Sequence, residues 1–489
     1  MSTRRALFFS FLDRYSALVL SIVSSILVAR LLTPAEIGVF SVTMVFIAFI
    51  SSMRDLGAGQ YLVQEQDLTP ARIRATWTVF LGTGLFMSLV VLAAAYPVAR
   101  FYQEPRMVEI MWVISINFAL TPFGSITYAW LMRDMRFDAL AIMRFGGSLA
   151  GAFTSVFLAW KGHGPISLAY GNLLATVVNA LISLRFRPAA LEWLPGLQDV
   201  RRVIAFGSKI SATGLIWNVA SGAPEMILGK LQSLTAAGLY SRGNGLAQMF
   251  QRMILDATQS VALPMFAKEQ REIGNINEPL LRVVSYVTAL GWSFYIGLAL
   301  LAFPMIRLLY GDQWDESVNL TRLLAVGWAI GLPAAMCPNA LMATGHANRI
   351  LGISLVVVPI QVLCMGLGAM MSLEGAGIGY VASQICTAPI WLVVTQRVIK
   401  FEWGSLLRVL AKSMGIAIVV ALAPVTAVIF YGLRPESNVA PLLLAGPIGI
   451  ALFWAAARWL RHPIQEEIDR LTTEVQMQLQ LRWRKYFSD

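Results

Sequence analysis

Charge is what this sequence has least of: Asp, Glu, Lys and Arg make up 13% of its 489 residues, where soluble proteins carry about 25%. With 57% hydrophobic residues, a soluble fold of this length would hold more apolar surface than it could bury, so lipid is expected to supply the missing solvent. Cysteine and histidine are sparse as well. Cys337, Cys364 and Cys386 lie inside apolar stretches at no metal-like spacing, and His163, His346 and His462 are scattered. That pattern excludes a zinc, haem or iron–sulfur site. No G-x-x-x-x-G-K-[ST] loop occurs, so energy from nucleotide bound by this chain is excluded. No serine–histidine–carboxylate or paired-carboxylate arrangement stands outside the apolar segments. No catalytic residue, metal or cofactor is therefore expected, and the chain does not read as an enzyme. The net charge of +11 does not point to nucleic acid, because the basic residues cluster between apolar segments without interleaved aromatics; anionic lipid headgroups explain it better.

What the chain has in quantity is long apolar runs. A span needs roughly 20 apolar residues, and that window predicts an all-α, polytopic membrane protein of about 14 transmembrane helices. The segments fall near 7–29, 36–56, 73–96, 107–131, 139–160 and 165–184, then 203–229, 234–263, 281–303, 318–344, 349–371 and 376–396, with a last pair near 408–431 and 439–460. The first run follows Arg4 and Arg5 but is too long for a signal peptide and lacks a small-residue cleavage site, so it is expected to be a span. Of the 38 basic residues, 27 fall on the side of the N-terminus. The opposite side holds only Arg30, Arg100, Arg106, Lys161, Lys230, Arg307, Arg322 and Arg434. The positive-inside rule then places both termini in the cytoplasm. After Pro463, residues Ile464, Ile468, Leu471, Val475, Leu479 and Trp483 share a helical stripe, which predicts an amphipathic cytoplasmic tail against membrane lipids.

The chain also repeats itself. RLLTPAEIGVFS at 30–41 parallels KLQSLTAAGLYS at 230–241, so that Arg30 matches Lys230, Thr33 matches Ser233, Gly38 matches Gly238 and Ser41 matches Ser241. Leu131-Met132 parallels Leu341-Met342, and Gly162-x-Gly164 parallels Gly375-x-Gly377. Each copy spans six helices, which predicts two six-helix pseudo-repeats related by an axis along the membrane normal. The expected organisation is an N-lobe over 1–190, a C-lobe over 191–400, two additional helices over 401–462 and the tail over 463–489. Two such lobes are expected to enclose a central cavity and to rock for alternating access. Thr33 and Ser233 fit helix N-caps, Pro34 fits the first helical position, and the paired glycines fit close helix contact.

The segments ARLLTPAEIGVFSV at 29–42, DLGAGQYLVQ at 55–64, LMRDMRFDALAIMR at 131–144, RVIAFGSKIS at 202–211 and LLYGDQWDESVNLTRLLA at 308–325 resemble the polysaccharide-transporter branch of the multidrug/oligosaccharidyl-lipid/polysaccharide (MOP) exporter superfamily, and within it the Wzx-type flippases. The resemblance covers about residues 5–400. It implies a flippase of the bacterial inner membrane that moves undecaprenyl-diphosphate-linked repeat units to the periplasmic leaflet for exopolysaccharide or O-antigen export. Without a nucleotide loop, energy is expected from an ion gradient (Na+ or H+), membrane potential or product removal, and a polysaccharide polymerase and chain-length machinery are candidate partners. The alternative is an ion-coupled drug or small-molecule antiporter of the same superfamily.

A diphosphate crossing hydrocarbon needs fixed cations in a wet route, and arginine suits it because its planar fork binds phosphate bidentately. The intrahelical candidates are Arg14, Arg54, Arg242 and Arg252. Their acidic neighbours Asp13, Asp55 and Asp256 are candidate charge partners; Arg252 and Asp256, four apart, share a helical face if the helix is regular and can pair there, so a structural ion pair is the alternative to a substrate contact for Arg252. Glu225, in ASGAPEMILGK, is the coupling-ion candidate, because Pro224 and the glycines are expected to interrupt the helix there. A Glu225–Lys230 pair is the structural alternative, just as Arg14 and Arg54 double as cytoplasmic anchors. Asn117, Asn218 and Asn244 have the chemistry to hydrogen-bond sugar or a neighbouring helix.

Overall fold

The computed structural model describes residues 3–51, 57–189, 191–432, 440–467 and 469. Every regular element among them is helical. The first half of the chain contains α1 (Thr3–Leu31), α2 (Pro34–Ser51), α3 (Ala58–Gln64), α4 (Pro70–Tyr102), α5 (Arg106–Arg133), α6 (Phe137–Trp160), α7 (Ile166–Phe186), α8 (Val200–Leu231) and α9 (Leu234–Ala247). The second contains α10 (Asp256–Glu272), α11 (Asn277–Leu309), α12 (Ser317–Gly331), α13 (Cys337–Ala343), α14 (Ala347–Met371), α15 (Leu373–Ile399), α16 (Trp403–Tyr431) and α17 (Ala440–Trp459). Eleven helical segments among the described residues are long and apolar enough to cross a membrane. The expected segments at α1, α8 and α9–α10 are helical too but are not among those eleven. The chain is a polytopic helical membrane protein.

Local chemistry explains where helices stop against expectation. The span expected over 318–344 is divided between α12 and α13 by a 3-10 turn, Leu332–Ala334. Pro333 and Pro338 each stand in a first helical turn there, where a missing N–H costs least. The span expected over 234–263 is divided between α9 and α10 by a π-helical turn, Gln251–Leu255. The expected interruption at Pro224 is corrected: α8 runs from Val200 to Leu231 straight through it. Of the expected amphipathic tail, only Ile464 to Glu467 and Asp469 lie within the described residues, and Ile464 is buried against Ala289, Ile416, Ala456 and Ala457.

The chain divides into two compact units, residues 1–241 and 242–489. In the first, α6 packs between α1 and α7, α5 packs on α4 and α7, and α8 lies against α2, α3 and α4. Segment 191–241 therefore groups with the first unit. Its linker is fastened to α4: Trp77 donates from Nε1 to the Trp193 carbonyl at 2.8 Å, and Thr78 and Gly196 exchange two hydrogen bonds. In the second unit α11 packs on α12 and α16, α15 on α12 and α14, and α17 on α16. Buried hydroxyls are satisfied locally: Thr43 and Thr288 each donate to the carbonyl four residues back at 2.7 Å, which lets them sit in apolar surroundings without an orphaned donor.

The repeated motif folds alike twice. Thr33 and Glu36 form a reciprocal cap, the Thr33 N–H donating to Glu36 Oε2 at 2.8 Å and the Glu36 N–H to Thr33 Oγ1 at 3.3 Å; Ser233 Oγ accepts from the Ala236 N–H at 3.1 Å. The two copies also meet each other. A Cβ on Gly38 would strike the Leu234 carbonyl, and one on Gly238 would strike the Pro34 carbonyl, so only glycine fits either position. Beside them Ser41 donates to Ser241 at 2.9 Å.

Candidate functional site

Polar side chains in an apolar segment are costly toward lipid, so they are expected to face one another or water. The first unit does this with four helices. Thr121, Ser125 and Tyr128 lie at successive-turn spacing on α5, Asn172, Thr176 and Asn179 on α7, Arg144 and Ser148 on α6, and Gln60 and Gln64 on α3; all line one hollow of about 680 Å3. Thr121 and Thr176 donate to the carbonyls four residues back, so their oxygens face the hollow as acceptors while the amides can both donate and accept. Asn179 lies between two glycines: a Cβ on Gly124 would come 3.2 Å from its Oδ1, and one on Gly147 would come 3.4 Å from its Cβ. Among the described lining residues Arg144 is the charged one. One turn beyond Thr121, Asn117 buries an Oδ1 that has no hydrogen-bond partner among the described residues.

The second unit has the opposite surface. A groove of about 1090 Å3 runs between α10, α11, α16 and α17, walled by Leu290, Phe294, Leu298, Leu301, Met305, Leu442, Ile450, Phe453 and Trp454. Gly297 and Gly446 keep it open, since a Cβ at either would meet nothing within 4 Å. Ile464 and Glu467 stand at one end. That segment is held by His462, which is almost wholly buried. Its Nδ1 accepts from the Ile464 N–H at 3.2 Å, so Nε2 carries the proton and donates to Ser285 Oγ at 2.9 Å. Thr288 and Ser413 complete the cluster at 2.9 Å from each other. Burial, and after it the charge of Lys412, pushes the His462 imidazole down to about 4, so it is neutral at pH 7.

Of the charged residues expected from the sequence, Glu225, Arg242, Arg252 and Asp256 lie among those whose side chains are described. Asp13 and Arg14 lie on α1, within the stretch whose side chains are not described, and Arg54 and Asp55 fall outside the described residues. Glu225 is half-buried on α8, and Lys230 does not pair with it: Lys230 donates to the Phe101 carbonyl and lies 4.1 Å from that ring. The alternative Arg252–Asp256 pair is also corrected. In a π turn hydrogen bonds close at i+5 rather than i+4, and Gln251 donates across it to Asp256 Oδ1 at 2.7 Å, while Arg252 turns back to donate to Gln248 Oε1, four residues earlier, at 3.1 Å. Arg242, half-buried on α9, and Arg252 both act electrostatically on the buried Tyr310 hydroxyl. Asn244 accepts from Trp328 Nε1 at 3.4 Å, as a helix-to-helix bond. Charge counting assigns Arg144 to the cytoplasmic side as an anchor, and of the neutral polar residues near the hollow the sequence singles out only Asn117. Their signal was there: amides and hydroxyls at turn spacing inside apolar runs.

A profile of the family described as polysaccharide biosynthesis protein matches residues 27–319. The chain is 24% identical over 400 residues to the succinoglycan biosynthesis transport protein ExoT of Rhizobium meliloti, covering 81% of this chain and 78% of that one. It is 22% identical over 341 residues to the teichuronic acid biosynthesis protein TuaB of Bacillus subtilis, covering 68% and 69%. Among solved structures, the lipid II flippase MurJ in an inward closed conformation gives a TM-score of 0.73 at 12% identity, covering 94% of this chain and 100% of that one. An inward-facing multidrug resistance MATE family transporter of the MOP superfamily gives 0.65 at 14% identity, covering 78% and 94%. At such identities these two structures speak for the fold alone. With the profile matching more than half its length, the chain belongs to the polysaccharide biosynthesis protein family.

Proposed function

We propose that the chain moves undecaprenyl-diphosphate-linked oligosaccharide repeat units from the cytoplasmic to the periplasmic leaflet of the bacterial inner membrane, by alternating access and with both termini in the cytoplasm. The observation that carries this reading is the hollow lined by amides, hydroxyls and Arg144 within membrane-spanning helices. Neutral donors and acceptors around a wettable space suit sugar hydroxyls, which cannot cross hydrocarbon unaided. The groove between α11 and α17 supplies the complementary surface for the polyprenyl chain. Its driving force is the burial of hydrocarbon next to leucine and phenylalanine rather than any polar contact.

On this proposal the two repeats act as the alternating lobes, with 191–241 moving with residues 1–190 rather than with the second repeat, 401–462 as accessory helices and 463–489 as a tail on the cytoplasmic leaflet. Arg14, Arg54, Arg242 and Arg252 meet the diphosphate in transit. Glu225 binds Na+ or H+, with Asp13 and Asp55 balancing the arginines, and the periplasmic product passes to a polymerase and its chain-length machinery. The test is flipping of a fluorescent lipid-linked oligosaccharide by the purified chain in proteoliposomes, with periplasmic-side capture by a lectin. Lectin access at the rate of protein-free vesicles overturns the proposal. For the coupling role, Glu225→Gln is expected to remove the dependence of rate on pH or Na+; an unchanged dependence assigns coupling elsewhere.

A further inference from the structure

Arg322, counted to the outer side by the positive-inside rule, stands inside the spanning segment that begins at Ser317. Five residues into α12, it lies about 7–8 Å along the helix from its start at 1.5 Å per residue. There it forms part of the wall of a crevice of about 450 Å3 between α11, α12 and α16, whose other walls include Leu300, Val326, Val428 and Ile429. Two hydrogen bonds fix the guanidinium: Nε donates to the Ala299 carbonyl at 3.2 Å and Nη1 to Asn319 Oδ1 at 3.1 Å. Ala299 is ten residues, or about 15 Å, before the end of α11, so the first bond holds the head against the interior of that helix instead of letting it reach for the headgroups. Asn319 in turn donates to Glu374 Oε1 at 2.8 Å. A neutral amide thus separates the two charges. Two contacts use two of the five N–H donors that a guanidinium carries.

A cation held in an apolar wall calls for an anion, and the anion that arrives with its own hydrocarbon is a lipid phosphate. Both halves of the crevice fit one: a planar fork for phosphate oxygens and aliphatic walls for a chain. The crevice is less than half the size of the groove between α11 and α17, which suits part of one acyl chain rather than a polyprenyl chain. We propose that this crevice is a resident site for an anionic phospholipid, with Arg322 on the phosphate and α11, α12 and α16 around the acyl chain.

The test is native mass spectrometry of the full chain released from bilayers of equal phosphatidylglycerol and phosphatidylcholine. The wild type is expected to retain one phosphatidylglycerol, Arg322→Gln to weaken that retention by roughly tenfold, and Arg322→Lys by less. Val326→Trp, which fills the crevice and leaves the arginine, is expected to release the lipid as well, and serves if Arg322→Gln does not fold. Equal retention of both lipids, or retention unchanged in Arg322→Gln and Val326→Trp, overturns the proposal. So does displacement of the lipid by equimolar undecaprenyl diphosphate, which would assign the crevice to transported substrate. No transport is measured, so the outcome is independent of the flippase reading.

Discussion

The hollow of the first unit and the groove of the second are both walled mainly by long apolar helices, yet they offer opposite solvents. Around the hollow, α3, α5, α6 and α7 turn amides, hydroxyls and one arginine inward; around the groove, α10, α11, α16 and α17 turn leucine, phenylalanine and bare glycine inward. Apolar composition alone does not separate them, because α5, α6 and α7 on one side and α11, α16 and α17 on the other are all hydrophobic enough to span. What differs is where the few polar residues stand at turn spacing. An amphiphile with a sugar head and a hydrocarbon tail needs both surfaces, and neither can replace the other: a hydroxyl without a partner costs about 1–3 kcal/mol in such surroundings, while a hydrocarbon chain gains nothing from a wet, amide-lined wall.

The comparison breaks most readily at Asn179. Leucine there removes an amide from the hollow and presses a branched side chain between Gly124 and Gly147, positions with little room to spare. Flipping of lipid-linked oligosaccharide at matched protein levels is expected to fall roughly 10–100-fold, the equivalent of about 1–3 kcal/mol. A rate within twofold of wild type would mean that the hollow does not handle the sugar. The groove gives the next largest effect. Gly446→Leu combined with Gly297→Leu puts side chains into open space, so it fills the groove without disturbing packing. We expect transport of a full-length polyprenyl substrate to drop about tenfold, and that of a short-chain analogue to stay the same. Equal losses on both would show that the groove does not read the tail.

Much of this was legible in the sequence, and the failures share a cause. The apolar helical runs, the repeated motif, the caps at Thr33 and Ser233 and the glycines at 38 and 238 follow from hydropathy and local stereochemistry, while eleven helical segments among the described residues, against about 14 expected, have the length and apolarity to span. The Arg252–Asp256 pair did not follow, because an i+4 argument presupposes an α-helix and the backbone closes a π turn through those residues. Arg144 was missed because counting charges near span ends treats each as an anchor; only the neighbours that α5 and α7 bring to it, far away in sequence, give it a role. Neutral polar residues leave a weak trace in any charge-based reading. The hollow was therefore invisible until its helices were assembled.

Acidity is expected to sharpen the contrast between the regions. His462 fastens the segment at the end of the groove, and its folded value of about 4 lies below the ordinary 6.5. Between those values the unfolded chain holds a proton that the folded chain does not. Stability therefore rises with pH across that window and is lost as pH falls through it. The hydrogen bond at stake is the one from the Ile464 N–H to Nδ1, which protonation of that nitrogen removes, at a cost of about 1 kcal/mol or more. Thermal unfolding of wild type is expected to weaken from pH 6.5 toward pH 4, and His462→Gln to flatten that trend. A wild-type slope matched by the variant would place the acid sensitivity elsewhere.

The smallest effect belongs to the first unit, at the turn between α4 and α5. Arg106 grips Glu104 with Nε on one carboxylate oxygen and Nη2 on the other, both at 2.8 Å. That hydrogen bonding holds the Glu104 carboxyl below its usual 4.5, so its contribution is complete above that value and is lost as pH falls through the depressed one. The geometry is bidentate, but the arginine is half exposed, at 47%. Solvent screens the pair, and exposed pairs are worth only about 0.2–1 kcal/mol. Glu104→Gln is therefore expected to lower the unfolding midpoint slightly at pH 7, to leave flipping unchanged, and to leave the loss between pH 6.5 and pH 4 intact. If Glu104→Gln removed that loss, the acid response would belong to the first unit and its surface, not to the buried imidazole at the end of the groove.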